Sequence, residues 1–227
     1  MMFRNALIFL GVVVPVAGFS QISVFDASYR LEAVARSGTA NNSQTIPVNN
    51  MGPVPTYFNQ ANANASQFTS MVHSWSSVSW NCTPTDLDAE LIACWDSMDL
   101  GAGNSGHMLS RLSLSLNLAT LSFVTTAAVF DAPNSWIEID QWNGSSWVLL
   151  VNSSQVVNYS ALWNPGNYRF RSERLYNPVG NSTGCVPYSF HLHAEPVPEP
   201  ATIFVLSAGG ALLLRRRRAG RVEPRTK

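Results

Sequence analysis

Leu112-Ser113-Leu114-Ser115-Leu116-Asn117-Leu118 decides the fold. Four leucines at alternate positions fall on one side of an extended chain, with Ser113, Ser115 and Asn117 on the other. That is the period of a half-buried strand, not of a helix. Working outward, the same period recurs. Ile137 and Ile139 alternate with Trp136, Glu138 and Asp140; Tyr168 and Phe170 with Arg169 and Arg171; Phe190 and Leu192 with His191 and His193. Turn chemistry separates these runs at Asn143-Gly144-Ser145-Ser146 and Asn164-Pro165-Gly166. The first turn makes 136–151 a hairpin, with Trp142 and Trp147 stacking across its loop, a pair of a kind worth roughly 0.5–1 kcal/mol. Short strands with frequent turns predict an all-β ectodomain, an antiparallel β-sandwich that is jelly-roll-like.

Residues 37–55, rich in Asn, Pro, Gly and Thr, read as a long loop. Thr83-Pro84-Thr85-Asp86 has the form of a helix start, with Thr83 as N-cap and Pro84 at the first helical position. The cysteines bear on that reading. If 84–95 were one helix, Cys82 and Cys94 would lie roughly 18 Å apart, whereas a disulfide tolerates about 7 Å between Cα atoms. Either the helix is short or broken and Cys82 bonds Cys94, the favoured pairing, or one of the two bonds Cys185. In an exported chain oxidation is expected.

The acidic cluster Asp86, Asp88, Glu90, Asp96 and Asp99 has three readings. Two of its carboxylates could serve a glycoside hydrolase, which needs them roughly 5–10 Å apart. Asp-x-Asp-x-Glu offers oxygen ligands to calcium, but the glycine of an EF-hand loop is missing. The reading kept is that Asp86 stabilises a helix N-terminus and the others are solvated. His191 and His193 share a strand face at a spacing compatible with two metal ligands, yet His73 and His107 offer no assignable third. The cysteines read as structural, no Gly-x-Ser-x-Gly occurs, and residues 101–106 are a glycine-rich turn without the Lys of a phosphate cradle. The sequence therefore predicts no enzyme, no cofactor and no metal. Trp136, Glu138, Asp140 and Trp142 share the outward side of one strand. Aromatic rings that stack on sugar C–H groups, beside carboxylates that accept hydroxyl hydrogens, make these four the candidate glycan contacts. Trp75, Trp80, Trp95 and Trp163 are assigned to the core.

The two ends carry addresses. Arg4 precedes the apolar stretch 6–16, and the small residues Ala17, Gly18 and Ser20 offer a peptidase site, so 1–20 reads as a signal peptide. At the far end stand Val197-Pro198-Glu199-Pro200-Ala201-Thr202, an apolar run to Leu214, and Arg215-Arg216-Arg217-Arg218. The prolines hold Glu199 extended, so a helix begins only after Pro200. The fourteen uncharged residues 201–214 would span roughly 21 Å as a helix, against roughly 30 Å of bilayer core. Four arginines are wrong for a protein core and right for a cytoplasmic stop, and their stems can snorkel. A C-terminal transmembrane helix with residues 21–196 outside is the expectation. That outer segment has twelve acidic side chains and six arginines, a net of −6 with no lysine. Such a surface argues against nucleic acid as a partner.

The order Pro198-Glu199-Pro200, short apolar helix, arginine cluster resembles the PEP-CTERM sorting signal of exopolysaccharide-producing bacteria. The resemblance covers 197–218, with a basic cytoplasmic tail at 219–227. It implies processing by a membrane-embedded cysteine protease–transpeptidase, exosortase, for which Pro198, Glu199 and Pro200 would be recognised residues and Arg215, Arg216, Arg217 and Arg218 the stop. The phrase Pro-Gly-Asn-Tyr-Arg-Phe, followed by a last strand leading into Pro-Glu-Pro, also resembles ectodomains attached to such signals. The implied chain is anchored in the inner membrane before processing. It then resides at the cell surface or in the extracellular matrix, beside exopolysaccharide. A carbohydrate-binding module that works through its exposed tryptophans is the alternative reading.

Overall fold

A computed structural model describes residues 21–67, 70–98, 103–130, 135–154, 157–180 and 182–197. The expected signal peptide, the Pro-Glu-Pro motif, the apolar helix, the arginine cluster and the basic tail lie outside those residues. Among the described residues there is no helix, hence none long and apolar enough to cross a membrane.

Twelve strands follow in order: β1 Ile22–Ser37, β2 Ala40–Val48, β3 Thr56–Gln67, β4 Ser70–Cys82, β5 Asp86–Met98, β6 Asn104–Leu118, β7 Ser122–Phe130, β8 Ser135–Trp142, β9 Trp147–Ser153, β10 Val157–Trp163, β11 Gly166–Tyr176 and β12 Thr183–Pro196. They form two six-stranded antiparallel sheets. Sheet A has the order β2-β1-β6-β11-β8-β9 and sheet B the order β10-β7-β12-β5-β4-β3. Both inner faces are apolar for the reason the alternation gives. Leu112, Leu114, Leu116 and Leu118 are buried on β6, Ile137 and Ile139 on β8, Tyr168 and Phe170 on β11, Phe190 and Leu192 on β12. Aromatic rings span the two sheets. Phe170 stacks on Phe190 with centroids 4.2 Å apart, and Trp163 on Tyr168 at 4.4 Å. Tyr168 also fixes the preceding turn, its hydroxyl donating to the Asn164 carbonyl (2.7 Å) and accepting from Gln141 (3.0 Å). Burial pushes its pKa up to about 12.

The β8–β9 hairpin forms as its turn chemistry predicts. Gly144 takes a positive φ of 100°, and the Asn143 side-chain oxygen accepts from the amides of Ser145 and Ser146. Trp142 and Trp147 face each other across it at 5.4 Å. Trp80, Trp95 and Trp163 are in the core. Trp75 is not: it lies half-buried on the outer face of sheet B, 4.6 Å from the ring of His73.

Three further expectations are corrected. The loop assigned to 37–55 contains strand β2, an edge strand that is exposed apart from the half-buried Ala40, Ile46 and Val48, so burial imprints no clear apolar alternation on it. Its free edge meets β3 through side chains: Asn42 donates to the Asn64 carbonyl, and Gln44 accepts from the Asn62 amide. The helix expected from Thr83 is strand β5. Thr83 Oγ1 accepts from the Asp86 amide at 2.9 Å, as an N-cap does, but Thr83 N also donates to the Asp86 carbonyl and closes a turn from β4 into β5. The local signal was that of a helix cap, and the strict alternation of Asp86, Asp88 and Glu90 with Leu87, Ala89 and Leu91 overrides it. Finally, Cys94 bonds Cys185, not Cys82. Register explains this. Cys185 lies directly opposite Cys94 across β5–β12, with Cα atoms 4.1 Å apart. Cys82 lies opposite Leu87, seven positions and about 23 Å along β5 from Cys94.

The glycine-rich turn also ends earlier than expected. Gly103 has the positive φ of a turn residue, but Gly106 is inside β6. A Cβ there would stand 2.2 Å from Cζ3 and 2.6 Å from Cε3 of Trp95, a fully buried ring. Glycine at 106 is the space that the indole occupies.

Candidate glycan-contact face

The alternation that buries Ile137 and Ile139 turns Trp136, Glu138, Asp140 and Trp142 to the outer face of sheet A. Strand pairing then decides their neighbours. On β11, Glu173 lies opposite Trp136, Arg171 opposite Glu138 and Arg169 opposite Asp140. The carboxylates are thereby committed. Asp140 Oδ2 accepts from Arg169 Nε (3.1 Å), Arg169 Nη2 (3.0 Å) and Arg171 Nη2 (3.0 Å), and the Asp140 side chain is only 5% exposed. Glu138 pairs with Arg171 at 2.6 Å and accepts from Asn152 at 3.1 Å. The guanidinium of Arg169 lies 4.7 Å from the centre of the Trp147 ring, and Trp147 leans on Trp142. Arg169 is therefore held between an ion pair and an indole face, each weak alone but mutually orienting.

The face thus presents indole rings and guanidinium N–H groups, more than the free carboxylates the sequence suggested. Both kinds of group suit sugars: rings stack on apolar ring faces, and a planar fork of donors meets hydroxyl or carboxylate oxygens. Trp136, Glu138, Asp140 and Trp142 are brought onto one face as expected. Trp147, Arg169 and Arg171 join them. The parity of Arg169 and Arg171 was readable, but their ion pairs with β8 depend on a pairing some thirty residues away. Farther across the same sheet Arg30 pairs with Glu32, Arg111 with Glu173, and His107 with Glu32 at 3.3 Å.

The outer face of sheet B is chemically different. β5 presents Asp86, Asp88, Glu90 and Asp96, and a histidine lies opposite three of them: His193 opposite Asp86, His191 opposite Asp88, His73 opposite Asp96. His193 Nδ1 is 2.7 Å from Asp86 Oδ1, and His191 Nδ1 is 2.7 Å from Asp88 Oδ1. The hydrogen bond from the Thr85 hydroxyl, followed by that with His193, holds the Asp86 pKa below its ordinary value. The acidic residues and the histidine pair, weighed separately in the sequence, thus meet on one seam. Among the described residues no group of three or more His, Cys, Asp or Glu is arranged to hold a metal ion. Asp99 lies outside the described residues.

Cys82 is the free thiol among the described cysteines. Burial near the Ile22 carbonyl, 3.7 Å from its sulfur, raises its pKa. The chain matches no family model and no curated protein.

Proposed function

We propose that the chain is an exported, non-enzymatic surface or matrix protein. Its sandwich is delivered and released, or attached, through the C-terminal Pro198-Glu199-Pro200 signal by an exosortase-type enzyme. The observation that carries the reading is the Cys94–Cys185 bond, with Cys185 on the exposed outer face of sheet B. An accessible structural disulfide belongs to an oxidising compartment. Supporting it, β12 runs to Pro196 immediately before the motif, so the folded unit ends where the signal resembling PEP-CTERM begins. A jelly-roll-like wrapping is part of this reading, supported by seven of eleven connections that pass between the sheets. The test is mass spectrometry of the mature protein in its producing host. A C-terminus near Glu199, shifted to full length by Glu199→Ala, is the expected result. A mature chain that still ends at Lys227 rejects processing.

The second reading is a carbohydrate-binding face on sheet A, favoured by the cluster of Trp142, Trp147 and Arg169, in which the two indoles meet at 60° and the guanidinium lies over Trp147. Loss of a stacking ring costs a binding face about 1 kcal/mol or more. Trp142→Ala and Trp147→Ala should each weaken retention on an immobilised exopolysaccharide by fivefold or more. Unchanged retention in both variants rejects the platform.

A further inference from the structure

We propose that the depression between Arg30 and Arg111 on the outer face of sheet A is a subsite for one carboxylate-bearing residue of an acidic polysaccharide. The inference rests on the carbohydrate-binding reading and extends it from stacking to charge. Register places Arg30 on β1 directly opposite Arg111 on β6. Like charges in that relation repel, and their juxtaposition concentrates positive potential on this part of the face. Each guanidinium is secured on one side, Arg30 by Glu32 and Arg111 by Glu173, while the side chains stay 52% and 51% exposed. A guanidinium has five donors, and one carboxylate partner leaves donors to spare for a second.

Two residues farther along the same strands Ser28 lies opposite Ser113. The two serines and two arginines form an outward square that lines a depression of about 250 Å³, with Pro47 and Asn49 at its side. That is less than the roughly 300–1,000 Å³ of sites enclosing drug-sized ligands. The depression suits one sugar ring, whose carboxylate meets the guanidiniums and whose hydroxyls meet the serines. From Arg30 the register runs through Arg111 and Glu173 to Trp136, three strand spacings or about 14 Å. A short oligosaccharide lying across the strands reaches from the charged square to the tryptophan side of the face.

The test is calorimetric titration of the full chain in detergent with polygalacturonate, and with dextran as the uncharged polymer. Polygalacturonate should bind more tightly than dextran and weaken steeply between 50 and 300 mM salt, values chosen around the ionic strengths at which such contacts are screened. Arg30→Gln/Arg111→Gln should lower polygalacturonate affinity at least tenfold and remove most of its salt dependence, leaving dextran binding unchanged. Ser113→Glu, which adds a carboxylate to the depression and keeps both arginines, should act in the same direction. Wild-type affinity in either variant overturns the subsite. If that happens while Trp142→Ala still loses binding, the carbohydrate reading survives without it; if the wild type binds neither polymer, both fall. Concentration-dependent self-association in sedimentation that disappears in the arginine variant would assign the square to the acidic face of a second copy, and would also overturn the proposal.

Discussion

Reducing the Cys94–Cys185 bond should destabilise the sandwich by about 4–5 kcal/mol. The bond closes a loop of 91 residues. On the chain-entropy relation, a closed loop of that size removes about 15 cal/mol/K from the unfolded ensemble, or about 4.6 kcal/mol at 25 °C. β5 and β12 pair over eleven positions around the bridge, and the cysteines stand directly opposite. The assay is urea unfolding of the wild type with and without reductant, beside Cys94→Ala/Cys185→Ala. With a urea m-value near 2 kcal/mol/M, the midpoint should fall by about 2 M. The reduced wild type and the double variant should coincide, apart from the small cavity at Cys94, which is buried. Cys82→Ala should leave the reductant effect in place. A midpoint change below about 0.5 M, or a non-reducing peptide map joining Cys82 to Cys94, would refute the reasoning.

Gly106→Ala should cost about 1–3 kcal/mol by overpacking, since its Cβ would overlap the buried Trp95 ring; Trp95→Phe in the same chain should recover part of it, and an unchanged urea midpoint would show the strand free to move. Asp86 has its pKa held below the ordinary value of 3.8, so its contribution to stability is present above pH 3.8 and is lost as pH falls through the lower folded value. Asp86→Asn should therefore be less stable than wild type at pH 7 and equal to it near pH 2, and a gap that persists at pH 2 contradicts the hydrogen-bond account.

What the sequence revealed divides along physical lines. Strands with one face in the core print that fact as alternation, so the inward sides of β6, β8, β11 and β12 were legible residue by residue. β2 was not, because neither of its faces is deeply buried and no apolar period results. β5 carried two signals at once, a cap-like Thr83 and an alternating Asp86–Met98 segment, and only packing against β4 and β12 decides between them. Register, which the local sequence does not encode, chose Cys185 over Cys82. It likewise set Arg169 and Arg171 against Asp140, turning an expected pair of hydroxyl acceptors into the supports of two cations.

Charge separation between the faces argues for sheet A as the side that meets an anionic polymer. Five of the six arginines between residues 21 and 197 lie on its outer face (Arg30, Arg36, Arg111, Arg169, Arg171), while Arg174 is buried. Asp26, Glu32, Glu138, Asp140 and Glu173 balance them. The outer face of sheet B presents Asp86, Asp88, Glu90, Asp96 and Glu195 with no arginine or lysine, only His73, His191 and His193. Among the described residues, the charges on the outer face of sheet A therefore balance, while sheet B carries an excess of five carboxylates. The sheets of a sandwich lie about 10 Å apart, and outward side chains add several ångströms on each side. Solvent ions at each face screen over about 8 Å at physiological ionic strength, so a polymer lying on one face responds chiefly to that face's own charges. On the polysaccharide proposal, an acidic polymer would be repelled from sheet B and admitted at sheet A, where Arg30 and Arg111 hold donors in reserve.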